Sequence, residues 1–348
     1  THRYSSAASD VYKRQEFRYV EAASQAAEFL MKHCQRGPGE LLHGHCSGRA
    51  TGTVFLDDYS HLLVAFLSLY EATLDCLWLE RAEVLAEGMI GRFHDAEKGG
   101  FFYNENLHVE RLNRIKEFHD ASLPSGNATA AQGLQRLGGM IGKPKYQELA
   151  QETVRAGRAL WERNPEAASK MLVVLAACCE SPTHWVLVPG DDATVNRAAL
   201  RLLQARIPTE DYFAFGTEAE HRTGLLAHLF EGRTCQRGQP TLYICKNFTC
   251  AAPAVGLDDS KRRRSDPAID VGGGVVNSLV GQKRAGRPQA CDFISQRTNR
   301  LPVQHRLVFH LPFEVLQSLD PVLKSLLPNR VAQGLSLIHI SEPTRHLL

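Results

Sequence analysis

Arg114-Ile-Lys116 and the run Asp120-Ala-Ser-Leu-Pro124-Ser125-Gly126-Asn127 gather two cations, a carboxylate, a hydroxyl and an amide into one short stretch. Side chains of these types bind and polarise oxygen-rich small molecules, the cations holding an oxyanion or hydroxyl and the carboxylate moving a proton. Pro124 restricts Leu123 to extended conformations, and Ser125 or Gly126 can cap a helix starting there. Ala128, Ala131, Leu134 and Leu137 give that helix an apolar stripe. The cluster therefore sits at a helix N-terminus, where free N–H groups and the macrodipole favour an oxygen-rich ligand. The competing reading is that the same groups cap and tie down a loop.

A second candidate opens the long helix at Leu56-Asp57-Asp58-Tyr59. Negative charge in a first turn complements the macrodipole. Paired carboxylates can alternatively serve general acid–base chemistry, one pKa being raised by its neighbour. Adjacent helical residues point about 100° apart, so at most one of the two faces any given cavity. His43-x-His45-Cys46 could ligate zinc, but no second ligand pair stands at the usual spacing, and no metal is expected.

The elements that must position these groups are mostly helical. Periodicity predicts helices over 17–34, from Leu56 with the stripe Tyr59, Leu63, Phe66, Leu67 and Tyr70, and over 77–93. Gly99-Gly100 and the apolar run Phe101-Phe102-Tyr103 come next. Helices joined by short connections pack antiparallel, so this is an αα-hairpin. A second hairpin starts at the Pro124–Asn127 cap, its return helix carrying Tyr146, Leu149, Ala150, Val154, Leu160 and Trp161. Asn164-Pro165 breaks it, and Ala167 to Cys179 forms another apolar helix. At Pro182 the texture changes: strands at 185–188, 212–215 and 242–245 and a helix over 195–207 suggest a small βαβ module. No Gly-x-Gly-x-x-Gly or phosphate loop is present, and no cofactor is expected.

The two ends need separate treatment. Asp10-Val-Tyr-Lys-Arg-Gln15 back-translates to GAT GTG TAT AAG AGA CAG, whose reverse complement reads Leu-Ser-Leu-Ile-His-Ile, which is Leu335 to Ile340. Such inverted copies resemble the two ends of a sequencing adapter, so residues 1–15 and 335–348 are expected to be translated adapter and are set aside. The gene product is then expected to be truncated at its front. Residues 257–334, with Lys261-Arg-Arg-Arg264 and Gly272-Gly-Gly274, are expected to be a poorly ordered or frame-shifted tail rather than a nucleic-acid-binding segment.

The roughly 320 remaining residues suffice for two modest domains or one large one. Hydrophobic content of 43%, charge of 22% and a net charge of +2 are ordinary for a globular protein. No apolar run reaches the ~18 residues of a membrane span. The nine cysteines are odd in number and scattered, with no Cys-x-x-Cys. That favours free thiols in a reducing, cytoplasmic setting over a disulfide framework.

Four ordered motifs carry a resemblance covering about 17–256: Leu56-Asp57-Asp58-Tyr59; Gly99-Gly100-Phe101-Phe102; Arg114-x-Lys116 with Asp120-Ala-x-x-Pro124-Ser125-Gly126-Asn127; and Tyr243-x-Cys245-Lys-Asn-Phe248-Thr-Cys250. In this order they resemble the spermatogenesis-associated, thioredoxin-domain-containing family. His119 departs from that pattern, where relatives usually place Tyr, and nothing after about 256 has a counterpart. The resemblance implies a thioredoxin-like domain, absent here, ahead of a helical toroid similar to six-hairpin glycosidases and N-acylglucosamine 2-epimerases. The expected fold is thus mainly α: an incomplete α/α toroid over 16–182, then a small α/β module over 183–256.

The implied site is a sugar-binding cavity at one rim. Asp58 and Asp120 would act as acid or base. Arg114 and Lys116 would hold an oxyanion or hydroxyl, Tyr59 and Phe102 would face a pyranose ring, and Ser125 and Asn127 would fix its hydroxyls. A glycosidase needs two carboxyl groups about 5–5.5 or 6.5–9.5 Å apart, whereas an epimerase needs a proton-abstracting base beside the sugar carbon. The expected partners are a small carbohydrate and the missing thioredoxin-like domain, with no nucleic acid and no membrane. The rival is a non-enzymatic scaffold for that redox domain, in which the cluster is structural. Pairing of the polar groups as buried bridges and caps would favour the rival.

Overall fold

The computed structural model describes residues 2–46, 48–105, 114–204, 207–208, 211–247 and 249–263; the expectations for 264–348 lie outside them. The protein is mainly helical with a small α/β module. Helix α1 (His2–His33) leads into two short ribbons, β1 (Gln35–Gly37) with β2 (Glu40–Leu41) and β3 (Gly44–Cys46) with β4 (Arg49–Thr51). These ribbons occupy most of what periodicity leaves as a loop. Helices α2 (Leu56–Thr73) and α3 (Leu77–Phe93) form the first hairpin; α4 (Gly126–Ile141) and α5 (Pro144–Ala156) form the second.

The expected long return helix is instead divided at Gly157 into α5 and α6 (Arg158–Arg163). Phe118 presses on Gly157, where an added Cβ would stand 3.0 Å from its ring. A 3₁₀ turn (Pro165–Ala168) then feeds α7 (Ser169–Cys179).

Helix α4 is the centre of the helical layer. Thirteen of its residues are buried, and it packs against α2, α5 and α7. Ser125 caps it by accepting a hydrogen bond from the Ala128 N–H at 3.3 Å, and Gly142 ends it in a left-handed conformation, as helix termini demand. Glycines on the side facing α2 let the two helices touch. A Cβ on Gly126 would collide with Asp57 and one on Gly133 with Leu63. The two contacts keep nearly the same offset along the two helices, so α2 and α4 run parallel with their N-termini at one rim. Helix α7 joins them in the same direction: Asp120 bonds the N–H of Ser125 at 2.9 Å and of Lys170 at 2.8 Å, and Cys178 meets Gln135 farther along.

The second layer of structure is a sheet in the order β6-β5-β7-β8, with β9 also on β7. Strand β5 (His184–Val188) is followed by α8 (Ala193–Gln204) and by β6 (Tyr212–Phe215), which pairs parallel to it as the strand–helix–strand spacing predicts. Helices α9 (Glu218–His221) and α10 (Ala227–Phe230) precede β7 (Thr241–Lys246), which returns antiparallel on the other edge of β5. Strands β8 (Thr249–Cys250) and β9 (Ala254–Val255) and helix α11 (Gly256–Arg263) complete the described chain. Trp185, Val186, Leu187 and Val188 are consecutively buried, because β5 is covered on both faces. The module seats on the far ends of α2 and α4: the Tyr70 hydroxyl donates to the Phe213 carbonyl at 3.0 Å, and His184 Nε2 meets the Gly139 carbonyl at 3.1 Å.

One sequence expectation is corrected here. Cys245 and Cys250 are joined in a disulfide, because the β7–β8 register sets them directly opposite each other. Spacing in the chain did not show this, since the pairing depends on where the hairpin turns. Cys34, Cys76 and Cys235 carry free thiols.

The ribbon turn at Gly39 lies against α3 so closely that a Cβ on Gly88 would strike the Gly39 carbonyl, whereas one on Gly91 would meet nothing within 4 Å. Gly88→Ala should therefore lower unfolding free energy by about 1–3 kcal/mol through overpacking. Gly91→Ala, exposed in the same helix, should raise it by about 1 kcal/mol through propensity. Urea denaturation of the two variants reads the opposite signs.

Candidate functional site

The residues between α3 and α4 are pinned by their own polar groups. Gly99 and Gly100 both take left-handed conformations, with φ of 69° and 74°, turning the chain so that Phe101 is fully buried. The Asn127 side chain receives that turn. Its Oδ1 accepts from the Phe101 N–H at 2.7 Å, and its Nδ2 donates to the Phe101 and Glu117 carbonyls, each at 2.9 Å. Lys116 pairs with Asp95 at 2.6 Å and donates to the Gly99 carbonyl at 2.5 Å. Arg114 donates to the carbonyls of Arg92 and Asn104. Its guanidinium lies 4.0 Å from the centre of the Phe102 ring, and Lys116 Nζ lies 5.1 Å from that centre, both in cation–π range.

The sequence-derived candidates fall into separate groups. Phe102, Arg114 and Lys116 stand together and occupy one another. Asp120 and Ser125 stand together, and both Asp120 oxygens are bonded to helix N-termini. Asn127 is fully buried beside them. On the opposite side of α2, Tyr59 is fully buried; its hydroxyl donates to the Gly39 carbonyl at 2.9 Å and accepts from the Leu41 N–H at 3.0 Å. Asp58 accepts from the Phe55 N–H at 2.9 Å and meets His43 Nδ1 at 3.0 Å. Among the described residues no group of three or more His, Cys, Asp and Glu side chains is placed to hold a metal ion, and the His45 ring meets Phe29 edge-on and His33 at a tilt.

The two neighbouring carboxylates diverge, as helical geometry requires. Asp57 turns toward α4, against Gly126, and its Oδ1 is buried with no hydrogen-bond partner. Burial pushes its pKa up, reinforced by Asp58 and Glu117 and opposed by His61. His61 lies one turn on. Its Nδ1 is 3.0 Å from the Asp57 carbonyl, which can only accept, so a neutral ring carries its proton there and leaves Nε2 with a free lone pair. That Nε2 is also buried and unpartnered. Thr129 Oγ1 and Arg136 Nε, seven positions apart on α4, are likewise unpartnered; Arg136 reaches Glu71 of α2 through Nη2, so both stand on the side of α4 that meets α2.

A carboxyl whose pKa burial raises, one helical turn from an imidazole with a free lone pair, is an arrangement that acid–base chemistry can use. Sequence reasoning passed over His61 and placed its acid–base candidates at Asp58 and Asp120. The available signal was the stripe Asp57, His61, Val64 and Ser68, at helical spacing on the face opposite Tyr59, Leu63, Phe66 and Tyr70.

No protein-family model matches the chain. It is 28% identical to spermatogenesis-associated protein 20 of Homo sapiens over 251 residues, covering 68% of this chain and 31% of that protein. The protein of the same name from Rattus norvegicus is 28% identical over 246 residues. An uncharacterised Caenorhabditis elegans protein is 27% identical over 258 residues, 34% of its length. These matches support membership in the family of spermatogenesis-associated protein 20. The chain spans about a third of the length of the curated relatives it matches. No helix among the described residues is long and apolar enough to cross a membrane.

The Lys116 pairing, together with the Glu97 and Lys98 N–H groups, pulls the Asp95 pKa down to about 2. A carboxylate depressed in the folded state contributes stability above its unfolded pKa of about 3.9 and loses it as pH falls toward the folded value. Unfolding free energy should therefore drop between about pH 4 and pH 2 in the native protein. Lys116→Met should lower stability at pH 7 and flatten that acid limb. A parallel displacement of the two curves at every pH would contradict the assignment.

Proposed function

We propose that this relative of spermatogenesis-associated protein 20 is the carbohydrate-binding helical part of a larger protein, an incomplete α/α toroid that performs proton transfer on a small reducing sugar. The observation that carries this reading is the pair of buried, unpartnered atoms Asp57 Oδ1 and His61 Nε2 on successive turns at the rim where α2, α4 and α7 begin. In this reading His61 takes a proton from a carbon beside the sugar carbonyl, and protonated Asp57 supplies a proton to the developing oxyanion. That chemistry favours isomerisation or epimerisation over hydrolysis, which requires two carboxyl groups flanking the glycosidic bond. Asp58, Asp120, Tyr59, Phe102, Arg114, Lys116, Ser125 and Asn127 then shape the rim and hold the helix starts in place. The likeness to sugar-active toroids enters as fold analogy, and function must be tested at the site itself.

A second reading, a non-enzymatic scaffold for a separate redox domain, draws on one observation: all eight of those side chains already have partners or stacking contacts within the chain. Three measurements separate the readings. Calorimetric titration with reducing monosaccharides should show binding that Asp57→Asn and His61→Gln each weaken at least tenfold. Asp120→Asn should lower thermal stability while leaving affinity unchanged. Proton–deuterium exchange at the sugar carbon, followed by NMR, should require His61. Absence of sugar binding, or Asp57→Asn binding equal to the parent's, would support the scaffold and overturn the enzymatic reading.

A further inference from the structure

The remaining chemistry lies at the other end of the described chain, in the hairpin of β7 and β8. Antiparallel pairing sets Cys245 opposite Cys250 and Lys246 opposite Thr249, and Asn247 turns the hairpin in a left-handed conformation with φ of 51°. The paired Cα atoms are 4.0 Å apart and the bridge links positions five apart in the chain. A loop that short restricts the unfolded chain little, so the bond is a weak staple. The ladder pairing itself sets the two residues opposite each other.

Arg233 supplies a second feature. Its Nη2 lies 3.2 Å from Cys245 Sγ and 3.6 Å from Cys250 Sγ. The guanidinium is held there by the Leu229 carbonyl and sits 5.9 Å from the Tyr243 ring centre. Tyr243 is itself fixed, its hydroxyl donating to the Thr234 carbonyl at 2.7 Å. A permanent cation beside a sulfur favours the thiolate, the species that attacks and leaves in thiol–disulfide exchange. Access is asymmetric: Cys250 is exposed, whereas Cys245 is 6% exposed.

We propose that Cys245 and Cys250 are a redox-active pair exchanging with an external dithiol, with Arg233 stabilising the departing thiolate. A thiolate of the external dithiol attacks exposed Cys250 Sγ, the Cys245–Cys250 bond breaks, and the electron pair leaves on Cys245 beside Arg233. The second thiol of the external molecule then attacks its own sulfur in the mixed disulfide. That step releases Cys250 and completes the external disulfide. Two electrons and two protons pass to the pair, leaving two thiols here and one oxidised dithiol outside. This site is independent of the Asp57–His61 pair and does not rest on the proposed sugar chemistry.

The test uses the full chain equilibrated with graded ratios of reduced and oxidised dithiothreitol. Acid quenching, alkylation and mass analysis of the peptide carrying both cysteines then read the redox state. The pair should interconvert reversibly while circular dichroism stays native, and reduction at pH 7 should slow about tenfold in Arg233→Gln but not in Arg233→Lys. In the reduced protein the pH midpoint of Cys245 alkylation should lie below the ordinary thiol value of about 8.5 and rise toward it in Arg233→Gln. Reduction that occurs only on unfolding would mark the bond as purely structural. An alkylation profile unmoved by Arg233→Gln would remove Arg233 from the chemistry. Either result overturns the proposal.

Discussion

The amide of Asn127 is the constraint on which the helical half depends. Fully buried on the first turn of α4, it satisfies both backbone groups of Phe101 and the carbonyl of Glu117. A buried backbone group left unpaired costs about 1–3 kcal/mol, and here the two buried groups of Phe101 rely on one side chain. No other residue type offers a short donor and acceptor in that fork. Through this contact the Gly99–Gly100 turn, the strand-like run at Phe101 and the loop carrying Lys116 are set against the start of α4. Asp120 then ties the start of α7 to the same point.

A polar motif so densely bonded has little capacity left for a ligand. Lys116 is committed to Asp95 and Gly99, Arg114 to two carbonyls and a ring, and Asp120 to two helix starts. Unspent hydrogen-bonding capacity includes Asp57 and His61 on α2, which face away from the core stripe, and Thr129 and Arg136 on α4. The same close approach that buries Asp57 Oδ1 depends on Gly126, since any side chain there would displace the carboxylate. One glycine therefore links helix packing, the raised Asp57 pKa and the acid half of the proposed pair.

Helix positions were legible because the apolar spacing is strong: α2, α3 and α4 begin where Leu56, Leu77 and the Ser125 cap indicate. The division at Gly157 was not legible, since it arises from Phe118 packing across from a distant loop. The strand–helix–strand order after Pro182 was visible in β-rich runs, but the antiparallel return of β7 and the Cys245–Cys250 pairing depend on register. At the site, residue types alone pointed to the richest polar cluster. Which polar groups are already consumed by the backbone is a tertiary property. Asp57 and Asp58 are indistinguishable in sequence, and only the neighbouring helix and ribbon separate them.

Site-resolved carboxyl NMR titration of Asp57 and Asp95 tests this division most directly. The account predicts opposite displacements, with Asp57 titrating above its ordinary value because burial outweighs the opposing His61, and Asp95 near 2 because Lys116 holds it charged. Both groups titrating together near the ordinary value of about 4 would contradict it, since the polar cluster would then not be spent on the fold and Asp57 would not be poised as an acid.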